Sequence, residues 1–508
     1  MLINFSMHYF HSINMKSIVK VLSVLVVLCS MSACENTPQA TDGPYFGNGV
    51  HNGWADQNSI VIWTRLTENQ EGNWDGEEFV DISNDEQKAL DQEADSAAIM
   101  NAQIPEGVAL EQMIGACPGA TGEVKLTYYP QDQPEQTVET EWVKVNPDQN
   151  FTHQWQLDGL NAGTTYSLQL QARQDGNSAV SDQIEGEFYL PPPGSEVAAI
   201  DFCVVTCHDF IRKDTTVGHK IYQSMLEINP DFYVHTGDIE YYDKPRPWAM
   251  NEALMYFKWD RLFALPLQRD FWKQTTSYFM KDDHDALKND AYPGTTYGTV
   301  SWERGLEIFD KEQFPTREKP YKTIRWGKDL QIWITEGRNY RSRNPEPDQR
   351  GKSIWGEEQK DWLFTTMQES DAAFKVLISN DPILGPDREN KKDNYSNANW
   401  EWEGDQIRDF LSTLDNVYIC NGDRHWQYVT HLEEPDLWEF GSGAGADQHA
   451  GGWSQEDYRP EHRFLRVKGG YLYGQVLREN GKPTLKFQHH DVDGNVVHEE
   501  VFQLEEPS

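Results

Sequence analysis

The hydrophobic and polar positions of this chain follow two different patterns on either side of a proline run at residues 191–193. Before the run, short segments alternate apolar and polar residues, as in SIVIWTRL (59–66), THQWQL (152–157) and TTYSLQLQAR (164–173). Alternation of this kind predicts half-buried β-strands, and a series of short strands separated by turn residues predicts a β-sandwich. We therefore expect a β-sandwich domain over residues 46–193. The apolar residues of this region show no helical periodicity that would predict helices instead.

After the proline run, apolar strands alternate with helical stretches, which is the pattern of an α/β fold. Apolar residues at helical spacing predict helices at 218–228, 356–369 and 404–414. The last forty residues alternate around an Asp-Gly turn at 493–494 and predict a closing antiparallel set of strands. We expect an α/β domain over residues 196–508, joined to the sandwich by a stiff linker at Pro191–Gly194.

Chemically active side chains follow six apolar strands at the point where each strand ends. The strands are AIDFCVVT (199–206) before Cys207, DFYVHT (231–236) before Asp238 and Tyr241, TSYFM (276–280) before Asp283 and His284, DLQIWIT (329–335) before Arg338, FKVLIS (374–379) before Asn380, and NVYIC (416–420) before Asp423 and His425. Ligands of α/β proteins bind outside the carboxyl ends of the strands. We therefore expect these side chains to meet at one rim of a single sheet.

The residue types at this rim suit two kinds of cation. Cysteine and histidine favour a transition metal, whereas aspartate and asparagine suit calcium or magnesium. Two cations that share one carboxylate would acidify a bridging water to a hydroxide, a nucleophile for phosphorus. The sequence contains neither a Gly-rich phosphate loop nor a Gly-x-Ser-x-Gly elbow, which disfavours P-loop and serine-hydrolase chemistry.

Charge limits the partners of the protein. The chain has 44 basic and 82 acidic residues, and its formal charge of −38 would repel a nucleic-acid backbone. We expect no nucleic-acid partner other than as a substrate. An acidic insertion near residues 68–115, with thirteen acids and one lysine between 68 and 111, has weak periodicity. We expect it to lie on the surface and to be partly disordered.

The N-terminal residues have the features of an export signal. From Met15 the chain carries two lysines, an apolar run and the small residues Ser32 and Ala33 before Cys34. This ending resembles a bacterial lipobox, which predicts a lipoprotein-type signal peptide at 1–33, a lipidated Cys34 and a linker at 34–45. We expect an exported protein in the periplasm or at the cell surface, anchored in the outer membrane by its lipid. Ordinary cleavage with a free Cys34 is the alternative.

The order of the motifs resembles a known family. Cys207, then Gly237-Asp238-x-x-Tyr241, then Asp-Asp-His-Asp at 282–285, then Gly422-Asp-Arg-His425 is similar to the calcineurin-like metallophosphoesterases, specifically the PhoD-like alkaline phosphatase/phosphodiesterase family. The segments 59–67 and 157–170 look like that family's N-terminal fibronectin-like domain, and 338–343 with 356–363 resemble its arginine-rich segment and following helix. The resemblance implies a fibronectin/Ig-like β-sandwich followed by a metallophosphoesterase-type βαβ sandwich.

The resemblance also implies the roles of individual residues. Iron (Fe³⁺) would be held by four residues, and calcium would share one of them and add three more. The implied iron ligands are Cys207, Asp238, Tyr241 and His425, and the implied calcium ligands are Asp238, Asp283, Asp423 and Asn380. His284 matches the donor of a proton to the leaving oxygen. Arg338, with Arg341 as a further candidate, would bind phosphate oxygens.

The family implies a metal-dependent hydrolase that releases phosphate from a small phosphate ester by attack of a metal-bridging hydroxide. Three positions depart from the family pattern, namely His208, Lys281 and Glu336, and they leave the substrate class open. One alternative is a phosphodiesterase acting on phospholipid head groups, nucleotides or wall polymers. An alternative of another class is a non-catalytic, calcium-dependent surface-binding lipoprotein.

Several of these residues also have plain structural interpretations. Cys207 alone would be a buried small hydrophobic residue, and Tyr242 could stand in for Tyr241. Cys203 and Cys420 lie within apolar strands and are expected in the core. Asp282 and Asp285 are candidates for supporting residues that orient their neighbours.

Overall fold

The computed structural model describes residues 43–505 of the chain. The predicted signal peptide at 1–33 and the predicted lipidation site at Cys34 lie outside the described residues, as does nearly all of the predicted linker. Within residues 43–505, no helix combines the length and the apolar composition needed to cross a bilayer.

The strands of the described region form three larger sheets and one two-stranded pair. In chain order they are β1 (Val50–Gly53), β2 (Ser59–Arg65), β3 (Glu123–Pro130), β4 (Val138–Glu139), β5 (Val143–Lys144), β6 (Thr152–Asp158), β7 (Thr165–Arg173), β8 (Val180–Tyr189), β9 (Ile200–Val205), β10 (Phe232–His235), β11 (Thr276–Phe279), β12 (Thr296–Tyr297), β13 (Val300–Ser301), β14 (Lys322–Trp326), β15 (Leu330–Ile334), β16 (Phe374–Ser379), β17 (Val417–Asn421), β18 (Gln427–Leu432), β19 (Leu437–Ser442), β20 (His462–Arg466), β21 (Gly470–Glu479), β22 (Lys482–Asp491) and β23 (Val496–Gln503).

Helices connect and cover these sheets. The α-helices are α1 (Asn84–Glu93), α2 (Ser96–Gln103), α3 (Lys220–Ile228), α4 (Glu252–Phe263), α5 (Pro266–Trp272), α6 (Asp283–Ala286), α7 (Trp302–Glu307), α8 (Glu357–Gln368) and α9 (Glu401–Leu411). Short 3₁₀ turns lie at Leu110–Gln112, Pro134–Gln136, Pro147–Gln149 and Ala398–Trp400, and a π-helical turn follows α7 at Ile308–Gln313. The three helices predicted after the proline run correspond to α3, α8 and α9.

The first large sheet has nine strands in the order β23-β22-β21-β9-β10-β11-β1-β2-β6. Its centre is parallel, since Phe232 of β10 pairs with Phe202 of β9 and with Thr276 of β11. The strands β21, β22 and β23 close one edge as an antiparallel set, as the sequence predicts.

The second large sheet has seven strands in the order β14-β15-β16-β17-β19-β18-β20. Its centre is also parallel, since Val376 of β16 pairs with Ile332 of β15 and with Tyr418 of β17. The six strands that precede the chemically active residues therefore belong to two sheets. The expectation of one rim on a single sheet is wrong, because β9, β10 and β11 lie in one sheet and β15, β16 and β17 in the other.

The two sheets enclose one buried core between them. Val204 of β9, Ile332 of β15 and Val376 of β16 belong to this core, whereas Cys203 and Val205 of β9 face a second core. The second core contains α3 and α4, and a third, formed with α8 and α9, covers the outer face of the seven-stranded sheet. The result is four layers, helix, sheet, sheet and helix, which confirms the predicted α/β class.

The strands predicted before the proline run are present and divide between two sheets. β1, β2 and β6 form one edge of the nine-stranded sheet, and β3, β4, β5, β7 and β8 form a separate antiparallel sheet. Ile62 of β2, Leu126 of β3 and Leu168 of β7 belong to one buried core. Because β1 pairs with β11 beyond the proline run, the boundary between 46–193 and 196–508 stays a prediction.

The acidic insertion differs from its expectation, because it contains α1 and α2 instead of disordered chain. The side chains of Ser83 and Asp95 accept backbone N–H groups at the starts of these helices. Asp91 pairs with Lys288 at 2.9 Å and Gln103 bonds to the backbone of Trp248, so the helices pack on the α/β part of the chain. Tertiary contacts of this kind leave no signal in the local sequence.

Candidate metal centre

The turns after the strands place the candidate ligands in an unusual backbone conformation. Cys207 follows β9, Asp238 follows β10 and Asp423 follows β17, and their φ angles are 50°, 56° and 62°. Positive φ is uncommon for residues other than glycine, and such strain concentrates at functional sites. All three turns redirect the chain where the carboxyl ends of the two sheets meet.

The four residues implied as iron ligands lie together. The hydroxyl of Tyr241 is 2.9 Å from Oδ2 of Asp238 and 3.2 Å from Nε2 of His425, and the thiol of Cys207 is 3.6 Å from Oδ2 of Asp238. Ligand atoms of Cys207, Asp238 and His425 all lie within 4.8 Å of one another. We call these four residues the first cluster. Tyr242 is not part of it, because its hydroxyl accepts the indole N–H of Trp259.

A second group of oxygen atoms surrounds the other side of Asp238. Ligand atoms of Asp238, Asp283 and His284 lie within 4.8 Å of one another, as do those of Asp238, Asp282 and Asp423. We call Asp238, Asp282, Asp283 and Asp423 the second cluster. Asp238 belongs to both clusters, as the resemblance implies for a shared carboxylate.

The side-chain oxygen of Asn380 is free to bind a cation, because only the amide nitrogen is hydrogen-bonded. Its Nδ2 donates to the carbonyl oxygens of Thr236 at 2.8 Å and Lys281 at 2.9 Å, while Oδ1 is buried and has no hydrogen-bond partner within residues 43–505. Oδ1 of Asp238 and Oδ2 of Asp282 are likewise buried and unpartnered in this region. Buried acceptors are costly unless paired, and a cation would pair them. The donor set therefore fits metal binding, with sulfur and nitrogen on one side and oxygen on the other.

Burial and crowding shift the acidities of these groups. Burial raises the pKa of Asp238 to about 6 and that of Asp423 to about 7, and it also raises the pKa of the Cys207 thiol. Burial acts in the same direction on Asp283, but the charges of Arg338 and His284 outweigh it and lower the pKa of that carboxyl. Cations at the clusters would favour the ionised forms of the crowded groups.

Asp285 supports the shared ligand without being part of either cluster. Its carboxylate accepts the backbone N–H groups of Asp238 at 2.6 Å, Ile239 at 2.8 Å and Asp282 at 2.9 Å. It thereby fixes the turn that carries Asp238 to the segment that carries Asp283. Outer partners of this kind orient metal ligands.

His284 is anchored by a residue that the sequence analysis missed. Its Nδ1 donates to Oδ1 of Asp243, whose other oxygen accepts the backbone N–H of Asn289 at 2.9 Å. Nε2 of His284 has no hydrogen-bond partner in the described part of the chain. Burial alone would lower the pKa of His284. The negative charges of Asp243, Asp283 and Asp238 outweigh burial and raise the pKa to about 10. A protonated imidazole beside the clusters is able to donate a proton.

The two arginines predicted to bind phosphate, Arg338 and Arg341, are both buried and paired with carboxylates of the protein. Arg338 is buried, donates from Nε to Asp282 and lies 3.7 Å from Asp381, and its Nη1 has no partner in the described region. Arg341 pairs with Asp381 at 2.9 Å and donates to the backbone of Asp393. Arg338 thus lies beside the second cluster, whereas Arg341 is held within the protein.

Two further residues lie over the first cluster and were not selected from the sequence. The ring of His449 is 4.4 Å from that of His425, and both of its nitrogens are buried without a partner among residues 43–505. Arg212 is fixed by Asp209, which accepts its Nε at 2.8 Å and its NH2 at 2.5 Å, and 28% of its side chain is exposed. No motif marks either residue, because both come from loops that only the fold brings to the site.

The three departures from the family pattern have structural partners. His208 bonds to the carbonyl oxygen of Ile239 and to the hydroxyl of Tyr222. Lys281 lies 3.0 Å from Asp310, and Glu336 accepts the backbone N–H of Arg338 at 2.9 Å. The predicted core positions Cys203 and Cys420 are buried and free.

Comparisons with known proteins bear on the family and the fold of this chain. Residues 308–497 match the PhoD-like phosphatase family, and this range includes Arg338, Asn380, Asp423 and His425. No curated protein sequence matches the chain. A solved structure of PhoD is similar with a TM-score of 0.67 and 16% identity, over 92% of each chain.

A purple acid phosphatase, PPD1 from seeds of yellow lupin (Lupinus luteus), is also similar. Its TM-score is 0.57 at 10% identity, over 89% of this chain and 74% of that chain. At such identities the likeness concerns the fold. Together with the family match, it confirms the predicted resemblance to the PhoD-like phosphatases.

Proposed function

We propose, on the premise that this chain carries a PhoD-like phosphatase domain at 308–497 on a PhoD-like fold, that it hydrolyses small phosphate esters and releases phosphate. The observation that carries the proposal is the position of Asp238 between two ligand clusters, one with a thiol, a phenol and an imidazole, the other made of carboxylates. A buried carboxylate or amide oxygen without a hydrogen-bond partner is costly, and cations at the clusters would pair the free oxygens of Asp238, Asp282 and Asn380.

The donor chemistry supports different cations at the two clusters. Cys207, Tyr241 and His425 suit iron, and Asp283, Asp423 and the free oxygen of Asn380 suit calcium, with Asp238 shared. Bound there, the pair of cations would lower the pKa of water to give a nucleophile at neutral pH and would neutralise charge on the phosphoryl group.

The chain's own residues would perform the remaining tasks. His284, held by Asp243, would protonate the leaving oxygen from Nε2, because Nδ1 is already engaged. Arg338 would contribute positive charge beside the second cluster, and its ion pair with Asp282 also holds that carboxylate in place. The partly exposed side chain of Arg212 lies against the ring of Tyr241. Exposure makes Arg212 a stronger candidate than Arg341 for direct contact with substrate.

The experiment that tests this function compares a nitrophenyl phosphate monoester with the corresponding diester in the purified protein. We expect hydrolysis of the monoester, its loss after treatment with a chelator, and its recovery on adding back iron and calcium. Hydrolysis of the diester alone would make the protein a phosphodiesterase and overturn the phosphatase assignment. Calcium binding without hydrolysis of either ester would favour the surface-binding alternative.

A visible spectrum tests the iron site separately from activity. Tyrosinate bound to ferric iron gives a charge-transfer absorption band, which Tyr241→Phe should abolish while Tyr242→Phe, the neighbouring control, leaves it unchanged. A colourless, iron-free and fully active protein would refute the iron assignment.

We further propose that the protein is exported and anchored by a lipid on Cys34. The support is the leader-like sequence from Met15 and the small residues before the cysteine. Expressed with its leader in a bacterium, the wild-type protein should fractionate with membranes, whereas Cys34→Ala should move to the soluble fraction. Equal fractionation of the two would refute the anchor.

A further inference from the structure

One cavity of the described region adjoins the second cluster. It has a volume of about 430 Å³ and lies beside Asp290 and Asp393. Cavities of about 340 and 510 Å³ lie against β7 and β8, and one of about 490 Å³ lies behind Phe210; none of these is lined by a residue of either cluster. No cluster residue lines the 430 Å³ cavity either, but its lining residue Asp290 hydrogen-bonds directly to Asp283 of the second cluster.

Two residues connect this cavity to the second cluster. Asp290 lines the cavity, and its backbone N–H donates to Oδ2 of Asp283 at 2.5 Å. Asp393 lines it as well and accepts a hydrogen bond from Nη2 of Arg424 at 2.9 Å, while Nη1 of Arg424 pairs with Asp423. The cavity thus begins one residue away from two of the second cluster's carboxylates.

The wall of the cavity is held in a fixed shape. Lys352 is buried and donates to the carbonyl oxygens of Asn344 at 3.1 Å and Asn399 at 2.7 Å, and its ammonium lies 4.0 Å from the centre of the Trp400 ring. Nδ2 of Asn344 donates to Oδ1 of Asp290 at 2.8 Å. A ligand would therefore meet a site that is already formed, which reduces the entropy lost on binding.

The lining is polar and carries free hydrogen-bond donors. Two ammonium groups, Lys391 and Lys392, and three asparagine amides face the space, with one proline as its apolar residue. Lys391 is held by Asp393 at 2.7 Å. The side chains of Lys392 and Asn390 are exposed and make no hydrogen bond to another residue between 43 and 505. Two carboxylates, Asp290 and Asp393, also line the cavity, and Asp393 neutralises Lys391, so Lys392 is the ammonium of the lining that is free to meet an anion.

We propose that this cavity is the leaving-group subsite of the enzyme, and that it selects phosphate esters whose leaving group is hydrophilic and carries a second anionic group, as in a sugar bisphosphate. This inference rests on the proposed function, since it takes the reacting phosphate to lie at the clusters. The second anionic group would meet the Lys392 ammonium, and hydroxyl groups would meet the amides of Asn344 and Asn390. An acyl chain would find almost no apolar surface there.

The test compares fructose 1,6-bisphosphate with fructose 1-phosphate in the wild type and in Lys392→Gln, as the ratio of kcat/KM for the two substrates. Loss of one charge-assisted contact should lower this ratio about tenfold. Lys392→Arg, which keeps the charge, should restore most of it. The matched control is Lys328→Gln, which removes another exposed charge, from the turn between β14 and β15.

The possible results distinguish failure of the proposed subsite from failure of the proposed phosphatase function. A lowered ratio in Lys392→Gln with an unchanged ratio in Lys328→Gln supports the subsite. An unchanged ratio in Lys392→Gln, in an enzyme that hydrolyses both sugars, overturns the subsite and leaves the proposed function standing. A wild-type protein that hydrolyses neither sugar nor nitrophenyl phosphate refutes the proposed function and this inference with it.

Discussion

The guanidinium of Arg212, a side chain that is 28% exposed, lies 5.2 Å from the centre of the Tyr241 ring. Asp209 accepts hydrogen bonds from Nε and Nη2 of this guanidinium, and Nη1 has no hydrogen-bond partner within the described residues. A planar cation fixed over a ligand phenol can bind two phosphate oxygens without reorganising.

Replacing Arg212 should therefore weaken binding of phosphate more than it slows turnover. For Arg212→Ala we expect KM and the inhibition constant of inorganic phosphate to rise about tenfold, the effect of losing a charge-assisted hydrogen bond. Arg212→Lys should recover only part of the loss. Arg317, which pairs with Asp158 away from the site, gives the control Arg317→Ala. Unchanged inhibition by phosphate in Arg212→Ala would exclude this contact.

Replacing Asp285 should weaken metal binding, because Asp285 holds the turn that carries the shared ligand Asp238. Asp285→Asn replaces one accepting oxygen with an NH₂ group, which faces the backbone N–H groups of Asp238 and Asp282 at one position of the amide and those of Ile239 and Glu240 at the other. Changes to such supporting residues cost about 10- to 100-fold in metal affinity or activity. Metal content and kcat should fall together, whereas Asp270→Asn on the exposed surface should alter neither. Full metal occupancy in Asp285→Asn would contradict the supporting role.

The loss of activity on replacing His284 should be larger for esters whose leaving group needs a proton. Nitrophenolate leaves readily without one, whereas an alkoxide does not. His284→Gln should therefore slow hydrolysis of an alkyl phosphate about 100-fold or more, within the range of general acid catalysis, and affect nitrophenyl phosphate much less. Equal losses for both esters would indicate that His284 positions the substrate or a ligand instead of donating a proton.

The sequence placed three members of the first cluster near the ends of strands, and the family resemblance implied that they share a site with Tyr241. Cys207, Asp238 and His425 are close to the ends of β9, β10 and β17, so the rule that parallel strands present their carboxyl ends together predicts their approach. The rule does not say which strands share a sheet. The two-sheet arrangement therefore escaped prediction, although both sheets deliver their residues to the same place.

Residues that reach the site from irregular loops could not be found in the same way. Asp243, Arg212 and His449 follow no strand directly, and their positions depend on turns whose course is set by distant packing. The helices of the acidic insertion were missed for a related reason. Their polar sequence has weak helical periodicity, and caps at Ser83 and Asp95 with contacts to residues 248 and 288 stabilise them.

A histidine far from the clusters should control how stability depends on pH. His51 is fully buried, its ring lies 4.3 Å from that of Trp63 and 4.9 Å from that of Trp272, and neither nitrogen has a hydrogen-bond partner in the described region. Burial lowers its pKa to about 3. Between this value and the ordinary one near 6.5, the unfolded chain binds a proton that the folded protein does not, so the free energy of unfolding falls as the pH falls.

His51→Phe keeps an aromatic ring of similar size and removes this proton. On lowering the pH from 7 to 5, the wild type should lose about 2 kcal/mol more of its free energy of unfolding than the variant, because other titrating groups contribute equally to both. Urea unfolding of the two proteins at each pH measures the difference. Parallel losses in wild type and variant would mean that His51 is protonated in the folded protein, which its enclosure between Trp63 and Trp272 disfavours.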